Sequence, residues 1–586
     1  MALIGYAEAD FHSMRTKGHY YVDRTSFIAE QERLGNRNLL FARPRRFGKS
    51  LWISTLHHYY DIRFKDQFET LFGDLYIGKN PTPYRNSYVV LRLQFSGIDV
   101  STDERAYIGF RNNIETGIRE CMSSYPTYYS TDDIAKIERL SSPESMIQTF
   151  FSLHKTKQVP YKIYTLIDEY DHFANELFTL DMDRFQNILS RTGFVRKTYE
   201  FIKNAMGEGV VDRNFMTGVA PLTVDAMTSG FNTVSHLALD ISFHDLMGFT
   251  KAEVATILRA IGALEVNIPT LLLDLTEWYD GYLFNTDTSE RLYNSDMVMY
   301  FAAHYERFQV YPKKMLDTNI ASDYTKVRKV FMTNSVDTTY IPLLKKIIQE
   351  GSVSAVLTDI FNFEKDFTEH DITSLLFYMG WLTIQAPDEG GYLFKMPNRV
   401  IEELYYDYFV AISEQESNLN RTHVDIHNTL SELSKNNNPR PFLLLVKALI
   451  NKKLSVRDAQ RFDEKHLKML LIPYFSLSAT HYVISEPEWE NQFPDIVLLK
   501  RPTIETKYNF IFELKYIKKE DKEKKNTLTG EKYVDKIANE ARQQLKRYLN
   551  TDNAKRIDNL KAWVLILVGR EWHLVEEIIT YTEGVI

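Results

Sequence analysis

Phe493-Pro494-Asp495-Ile496-Val497-Leu498, followed after a short polar gap by Asn509-Phe510-Ile511-Phe512-Glu513-Leu514-Lys515, is the stretch on which the reading of this chain turns. Each half is an apolar run of strand length with an acid at its edge. Lys500 to Lys507, with Pro502 near its start, reads as the turn of a hairpin. Glu513 and Lys515 are two apart, so on a strand they point to one face. With Asp495 opposite Glu513, two carboxylates and an ammonium converge on one point. Carboxylate oxygens suit hard cations such as Mg²⁺ or Mn²⁺, which activate water and neutralise charge developing on a phosphodiester. Acid-x-Lys on a strand is also common on ordinary solvated faces, so the neighbouring elements have to decide.

Glu540 to Tyr548 reads as a helix on which Gln544 and Tyr548 share a face by i,i+4 spacing. Arg461 to Leu471 reads as another, stopped by Pro473 and carrying Glu464 in its first turn, where the helix dipole alone favours an acid. From Arg440 onward the expected order is helix (Pro441 to Leu454), helix (Phe462 to Leu471), strand (His481 to Ile484), the hairpin, helix (Glu531 to Leu549) and strand (Lys561 to Val568). That last strand is apolar on both faces and is expected buried, parallel, at the sheet edge. Pro494-Asp495 with Glu513-Leu514-Lys515 resembles the signature of the PD-(D/E)xK nuclease core. The resemblance implies a restriction-endonuclease-like αβββαβ domain. In it Asp495 and Glu513 hold the metal, Glu464 is a further metal-facing acid, Lys515 places the water and Gln544 supports.

A second constellation lies near the N-terminus. The strand Asn38-Leu39-Leu40-Phe41-Ala42 leads into Arg43-Pro44-Arg45-Arg46-Phe47-Gly48-Lys49-Ser50 and then a helical run from Leu51, which is the context of a phosphate-binding loop. Backbone amides at the helix start, Gly48, Lys49 and Arg46 would meet phosphate oxygens, and the Ser50 hydroxyl would hold Mg²⁺. The first glycine of the usual signature is missing; Arg43 stands there. Either the loop arginines add phosphate contacts or the loop is too stiff to cradle a triphosphate well. Further on, the apolar run Tyr161 to Ile167 ends in Asp168-Glu169-Tyr170-Asp171. A strand ending in Asp-Glu fits a Walker B pair, Asp168 for Mg²⁺ and Glu169 for the attacking water. Thr217, at the tip of Asn214 to Val219, is the candidate phosphate sensor, though a strand-ending Thr-Gly turn is an equally good account.

The set YYVDRT, RPRRFGKS, LIDEYD, FMTGVAP, TSGFN, MGFT, WYDGYLFN and LYNSD, in this order, resembles the AAA-ATPase-like family of bacterial proteins. In many of its members a PD-(D/E)xK domain is fused at the C-terminus. Arginine at the position of Arg43 is the norm in that family, and the resemblance implies a P-loop core related to signalling-type and archaeal ATPases.

At 586 residues the chain exceeds one core, and 44% hydrophobic with 25% charged residues is ordinary for a soluble protein. One cysteine, Cys121, excludes an internal disulfide and a cysteine metal cage and suits a reducing cytoplasm. No apolar run reaches membrane-spanning length. The net charge of −8 argues against a protein that coats nucleic acid, yet residues 501 to 550 carry about 13 Lys/Arg against about 8 Asp/Glu, a local surplus beside the C-terminal acids. Helix, hairpin, helix over Ile372 to Ile412 resembles a winged-helix module, read here as a nucleotide-reporting lid, and the Asn-rich Glu414 to Pro441 reads as a linker.

The expectation is an α/β multidomain chain. It comprises a P-loop NTPase core (1–239), a helical and winged-helix-like lid (240–435) and the nuclease-like domain (440–586). It would bind and hydrolyse ATP, with nucleotide state gating Mg²⁺- or Mn²⁺-dependent cleavage of nucleic acid, DNA in the first instance, in defence against phage or plasmids. A cytoplasmic homo-oligomer away from membranes fits that role. The alternative is a nucleotide-dependent switch or scaffold whose nuclease fold binds without cutting.

Overall fold

The N-terminal sheet is built from β1 (Asn38–Ala42), β2 (Tyr88–Gln94), β3 (Lys162–Asp168), β4 (Val211–Gly218) and β5 (Ser235–His236), in the order β2-β3-β4-β1-β5. Every pairing is parallel. Parallel strands are covered on both faces, which explains why β1 and β4 are buried at every position. Thr165 donates to the Asn214 side chain, which in turn donates to Asn38, so a buried polar chain crosses β3, β4 and β1 and fixes their register. Here β4 lies between the strand before the phosphate-binding loop and the strand that ends in Asp168. All these strands end on one edge, where an open parallel sheet places ligands. This computed structural model describes residues 3–172, 193–221, 234–317, 340–359, 361, 367–417, 422–453, 462–501, 506–522 and 533–579. They fall into two compact units, residues 1–347 with 351–400, and residues 348–350 with 401–586.

The first unit also holds a three-stranded antiparallel sheet of β6 (Ser352–Ala355), β7 (Thr383–Asp388) and β8 (Gly391–Lys395), in the order β6-β8-β7. Helix Glu369–Tyr378 lies between β6 and β7 and helix Arg399–Ser417 follows β8, so the helix-hairpin-helix order expected there is present, with β6 as an added strand ahead of it.

In the second unit β9 (His481–Ser485), β10 (Ile496–Lys500), β11 (Asn509–Ile517), β12 (Leu560–Val568) and β13 (Glu571–Ile578) form a mixed sheet in sequence order. Only β11 and β12 run parallel. Alternate residues of β11 feed two cores. Phe510, Phe512 and Leu514 join Leu467, Leu471 and Phe475 of helix Glu464–Ser476, and Ile511 joins Ala541 and Leu545 of helix Tyr533–Leu549.

Three expectations need correcting. The strand expected at the sheet edge, β12, is interior, because β13 pairs outside it. β13 (EWHLVEEI) carries three glutamates and a histidine among its apolar residues, so neither an apolar run nor a regular alternation marks it. Helix Glu464–Ser476 runs through Pro473 instead of stopping there, with Tyr474 and Phe475 buried and anchoring its last turn. The stretch read as a linker is largely helix (Thr422–Asn436), because Ile426, Leu430 and Leu433 recur at helical spacing and are buried; the asparagines sit at its C-terminal end.

Candidate functional site

Asp495 immediately precedes β10, whose first residue, Ile496, pairs with Phe512, so Asp495 falls opposite Glu513. The acids are fixed by what surrounds them. Asp495 accepts from the Leu514 N–H through Oδ2 (2.8 Å), while its Oδ1 lies 2.9 Å from Lys468 Nζ. Glu513, 1% exposed, accepts from Lys515 Nζ through Oε1 (2.7 Å), and its Oε2 is buried without a hydrogen bond. Lys515 also reaches Glu464 (3.3 Å), at the N-terminus of its helix. Asp495 and Glu513 thus face each other across the ladder, and Lys515 links Glu513 to Glu464.

Burial, and next the neighbouring Asp495, push the Glu513 carboxyl up to about 7 against the pull of Lys515. Burial likewise raises Glu464. Burial alone would lower Lys515, yet Glu513 and Glu464 outweigh it and hold the ammonium above its usual range. Three acids crowd a space that the lysines only partly neutralise.

Gln544 takes another place. Its amide donates to the Tyr548 hydroxyl (2.8 Å), which donates to the Phe493 carbonyl (3.2 Å), so the glutamine steadies the approach to Asp495 through Tyr548. Lys468 went unread in the sequence; its signal was the i,i+4 step from Glu464, which puts both on one helix face.

Among the described residues, no three His, Cys, Asp or Glu side chains stand ready as a metal cage. Ammonium groups take the room: Lys468 holds Asp495, and Lys515 bridges Glu513 and Glu464. The donor chemistry nevertheless fits a hard divalent cation, being all carboxylate, and the orphaned Glu513 Oε2 is an oxygen such a cation would satisfy.

In the first unit the phosphate-binding loop closes on itself. Gly48 and Arg46 take left-handed backbone conformations (φ 95° and 68°), and helix Lys49–Tyr60 starts directly after the glycine. Lys49 donates to the carbonyls of Arg43 (2.9 Å) and Pro44 (2.8 Å), and burial lowers it to about 8 despite Asp171, Glu169 and Asp168 nearby. Arg43 points away from the loop's mouth. Its guanidinium donates to the carbonyls of Ala42, Ala238, Phe243 and His244 and lies between the rings of Phe41 (4.4 Å) and Phe284 (4.0 Å). The arginine in the missing glycine's place is thus a strap beneath the loop, not one of its phosphate contacts.

From outside, the loop is braced by LYNSD. Asn294 donates to the Arg45 carbonyl (3.3 Å), Ser295 and the Asp296 N–H donate to the Arg46 carbonyl (3.2 Å each), and Asp296 pairs with the Arg46 side chain (3.3 Å). Above the loop lies a cavity of about 450 Å³, in the size range of small-molecule sites. Six of the eight quoted motifs contribute to its wall: Tyr20, Lys49, Glu169, Val219, Phe249 and Asp296 stand for them. TSGFN lies outside the described residues.

Asp168 is fully buried at the end of β3 and hydrogen-bonded by the Ser50 side chain; burial raises its carboxyl. Its Oδ2 and the Glu169 Oε2 lack hydrogen bonds, Glu169 adopts φ 51°, and His172 lies 3.3 Å from Glu169. Ser50, Asp168 and Glu169 are oxygen donors suited to Mg²⁺. Thr217 does not reach the cavity wall: its buried hydroxyl donates to the Phe41 carbonyl on the adjacent strand (2.7 Å). Asp171, which the sequence reading quotes without a role, does line the cavity; it accepts from the N–H groups of Val219 and Ala220 and ties β3 to the tip of β4.

Residues 5–228 match the family model of predicted AAA-ATPases, and residues 462–577 match that of the PD-(D/E)XK nuclease superfamily. The chain carries an AAA-ATPase-like domain and a PD-(D/E)XK nuclease superfamily domain. It is 26% identical over 286 residues to an uncharacterised protein in the vnfD 5′ region of Azotobacter chroococcum mcd 1, a match spanning 48% of each chain, or about half the relative's length. Among solved structures, the Walker-type ATPase PABY2304 of Pyrococcus abyssi aligns at TM-score 0.37 and 9% identity, covering 65% of this chain and 94% of that one. Among the described residues, no helix is long and apolar enough to cross a membrane.

Proposed function

We propose that the C-terminal unit is a divalent-metal-dependent nuclease acting on DNA, and that the N-terminal unit binds and hydrolyses ATP and gates that cleavage. The observation that carries the reading is the placement of Asp495 opposite Glu513 with Lys515 on the same carboxylate. Asp495, Glu513 and Glu464 would hold Mg²⁺ or Mn²⁺, which supplies Lewis-acid neutralisation of the scissile phosphate and a more acidic water. Lys515 holds the water for in-line attack and offsets charge on phosphorus. Asp495 keeps its position through the Leu514 N–H. In the other unit Lys49 and Arg46 would bind phosphates, Ser50 and Asp168 their Mg²⁺, and Glu169 would orient the attacking water.

A nuclease harmful to its own cell needs such a gate, and defence against phage or plasmid DNA is a setting that supplies one. Gating requires nucleotide to bind two states of the protein differently. One observation favours a second reading, a switch that binds nucleic acid without cutting: both acids are already paired with lysines.

Incubation with plasmid DNA and Mg²⁺ or Mn²⁺, with and without ATP, separates the two. Cutting that needs metal and Asp495, and whose ATP response disappears in Lys49→Ala, supports the gated nuclease. ATP turnover without cutting under any condition supports the switch. Cutting undiminished in Asp495→Ala refutes the assigned site.

A further inference from the structure

We propose that Lys468 is the counter-ion that a divalent metal must displace, leaving Asp495 for Glu486 as the metal enters. The inference rests on the nuclease reading of the same site. Asp495 has two carboxylate oxygens, and Oδ2 is committed to the Leu514 N–H. The oxygen left for a cation is Oδ1, which Lys468 Nζ holds at 2.9 Å. An ammonium and a divalent cation on one carboxylate oxygen repel each other, so the two occupancies compete.

Lys468 has somewhere to go. Its ammonium also pairs with Glu486, whose side chain is 61% exposed while those of Lys468 and Asp495 are each 12% exposed. Glu486 is itself fastened to the site, since its N–H donates to the Asp495 carbonyl (3.3 Å), and its backbone is left-handed (φ 47°). A lysine carries its charge on a flexible four-carbon stem, so a shift from one acid to the other needs only side-chain rotation. Lys468 is thus a positioning residue: it keeps Asp495 in place and charge-balanced until metal arrives, and the outward acid receives it.

The test is Mn²⁺ affinity of the full-length chain, measured by titration calorimetry without nucleotide or nucleic acid, with the Asp495-dependent site defined by what Asp495→Asn loses. Lys468→Met is expected to bind Mn²⁺ roughly ten-fold more tightly, the size of a one-unit shift at a charge-paired carboxylate. Lys468→Gln, the polar variant, should do the same if the methionine variant folds poorly. Glu486→Gln should weaken Mn²⁺ binding in the native background and have no effect in Lys468→Met, because it acts through the lysine. Lys500→Met, which removes a more distant charge paired with Asp558, should leave affinity unchanged. Unchanged or weaker binding in Lys468→Met and Lys468→Gln overturns the proposal. So does a Glu486→Gln effect of equal size in both backgrounds, which marks a simple field effect. If Asp495→Asn loses no Mn²⁺ at all, the nuclease reading fails as well; if it abolishes binding while the lysine variants match the native chain, only this inference fails.

Discussion

Asp495 lies across the β10–β11 ladder from Glu513, one step beyond the Ile496–Phe512 pair, and each of the two carboxylates is met by a different lysine. Burial first, and then the facing Asp495, push the Glu513 carboxyl up to about 7 against the pull of Lys515. A carboxyl raised by desolvation and by a facing carboxylate is one whose ionised form a bound cation would stabilise.

Restoring the missing glycine should harm the protein. Arg43→Gly recreates the usual phosphate-loop signature, but it removes a guanidinium that serves four buried carbonyls and packs between two rings. The Phe243 carbonyl keeps the Leu246 N–H, and leaving the other three without the guanidinium costs about 1–3 kcal/mol each, so a loss of about 3 kcal/mol or more is expected. Thermal unfolding and binding of a fluorescent ATP analogue check this: both should fall, and improved nucleotide binding would count against the strap.

Gly218→Ala should loosen the end of β3. A Cβ there would lie 2.2 Å from Asp171 Oδ1 and 2.6 Å from the Tyr170 ring, so the Asp171 carboxylate must leave the Val219 and Ala220 amides. The expected result is a destabilisation of about 2 kcal/mol or more with weaker nucleotide binding. Circular dichroism melts beside the ATP titration measure both.

Acid should weaken the second sheet through His481. Burial lowers this imidazole to about 4, and it is neutral while contacting the Tyr508 carbonyl (2.7 Å). Between pH 6.5 and about 4 the unfolded chain takes up a proton that the folded one refuses. The stability contribution is therefore whole above pH 6.5 and lost as pH falls through about 4, to a total of about 3 kcal/mol. Hydrogen exchange of β10–β12 amides at pH 7 and pH 4.5 should show this loss, and His481→Gln should reduce it.

Loss of the LYNSD brace should be felt in the loop rather than the core. Asn294 caps helix Ser295–Phe308 by accepting from Asp296 and Met297 while donating to the Arg45 carbonyl. Asn294→Ala should cost about 1 kcal/mol of stability and roughly ten-fold in ATP affinity. Equal affinity in native and variant protein would show that the loop holds its shape unaided.

Much of both sites was legible because it rests on strand periodicity. Alternation put Glu513 and Lys515 together, and an apolar run ending in acids marked Asp168 and Glu169. What stayed hidden depends on contacts between elements distant in sequence. Nothing in RPRRFGKS says that Arg43 turns inward, because its acceptors lie some two hundred residues away. Thr217 and Gln544 were placed by position on their elements, which fixes a face but not a partner; each found a nearer one. β13 escaped because Glu571, Glu576 and Glu577 break the apolar pattern on a strand that is only half-buried.

The most direct measurement is the anomalous scattering of crystals of this protein soaked in Mn²⁺. A peak bound by Asp495 Oδ1 and Glu513 Oε2 is expected, with the Lys468 ammonium withdrawn from Asp495. Density that leaves both carboxylates on their lysines while Mn²⁺ occupies other residues would contradict this expectation.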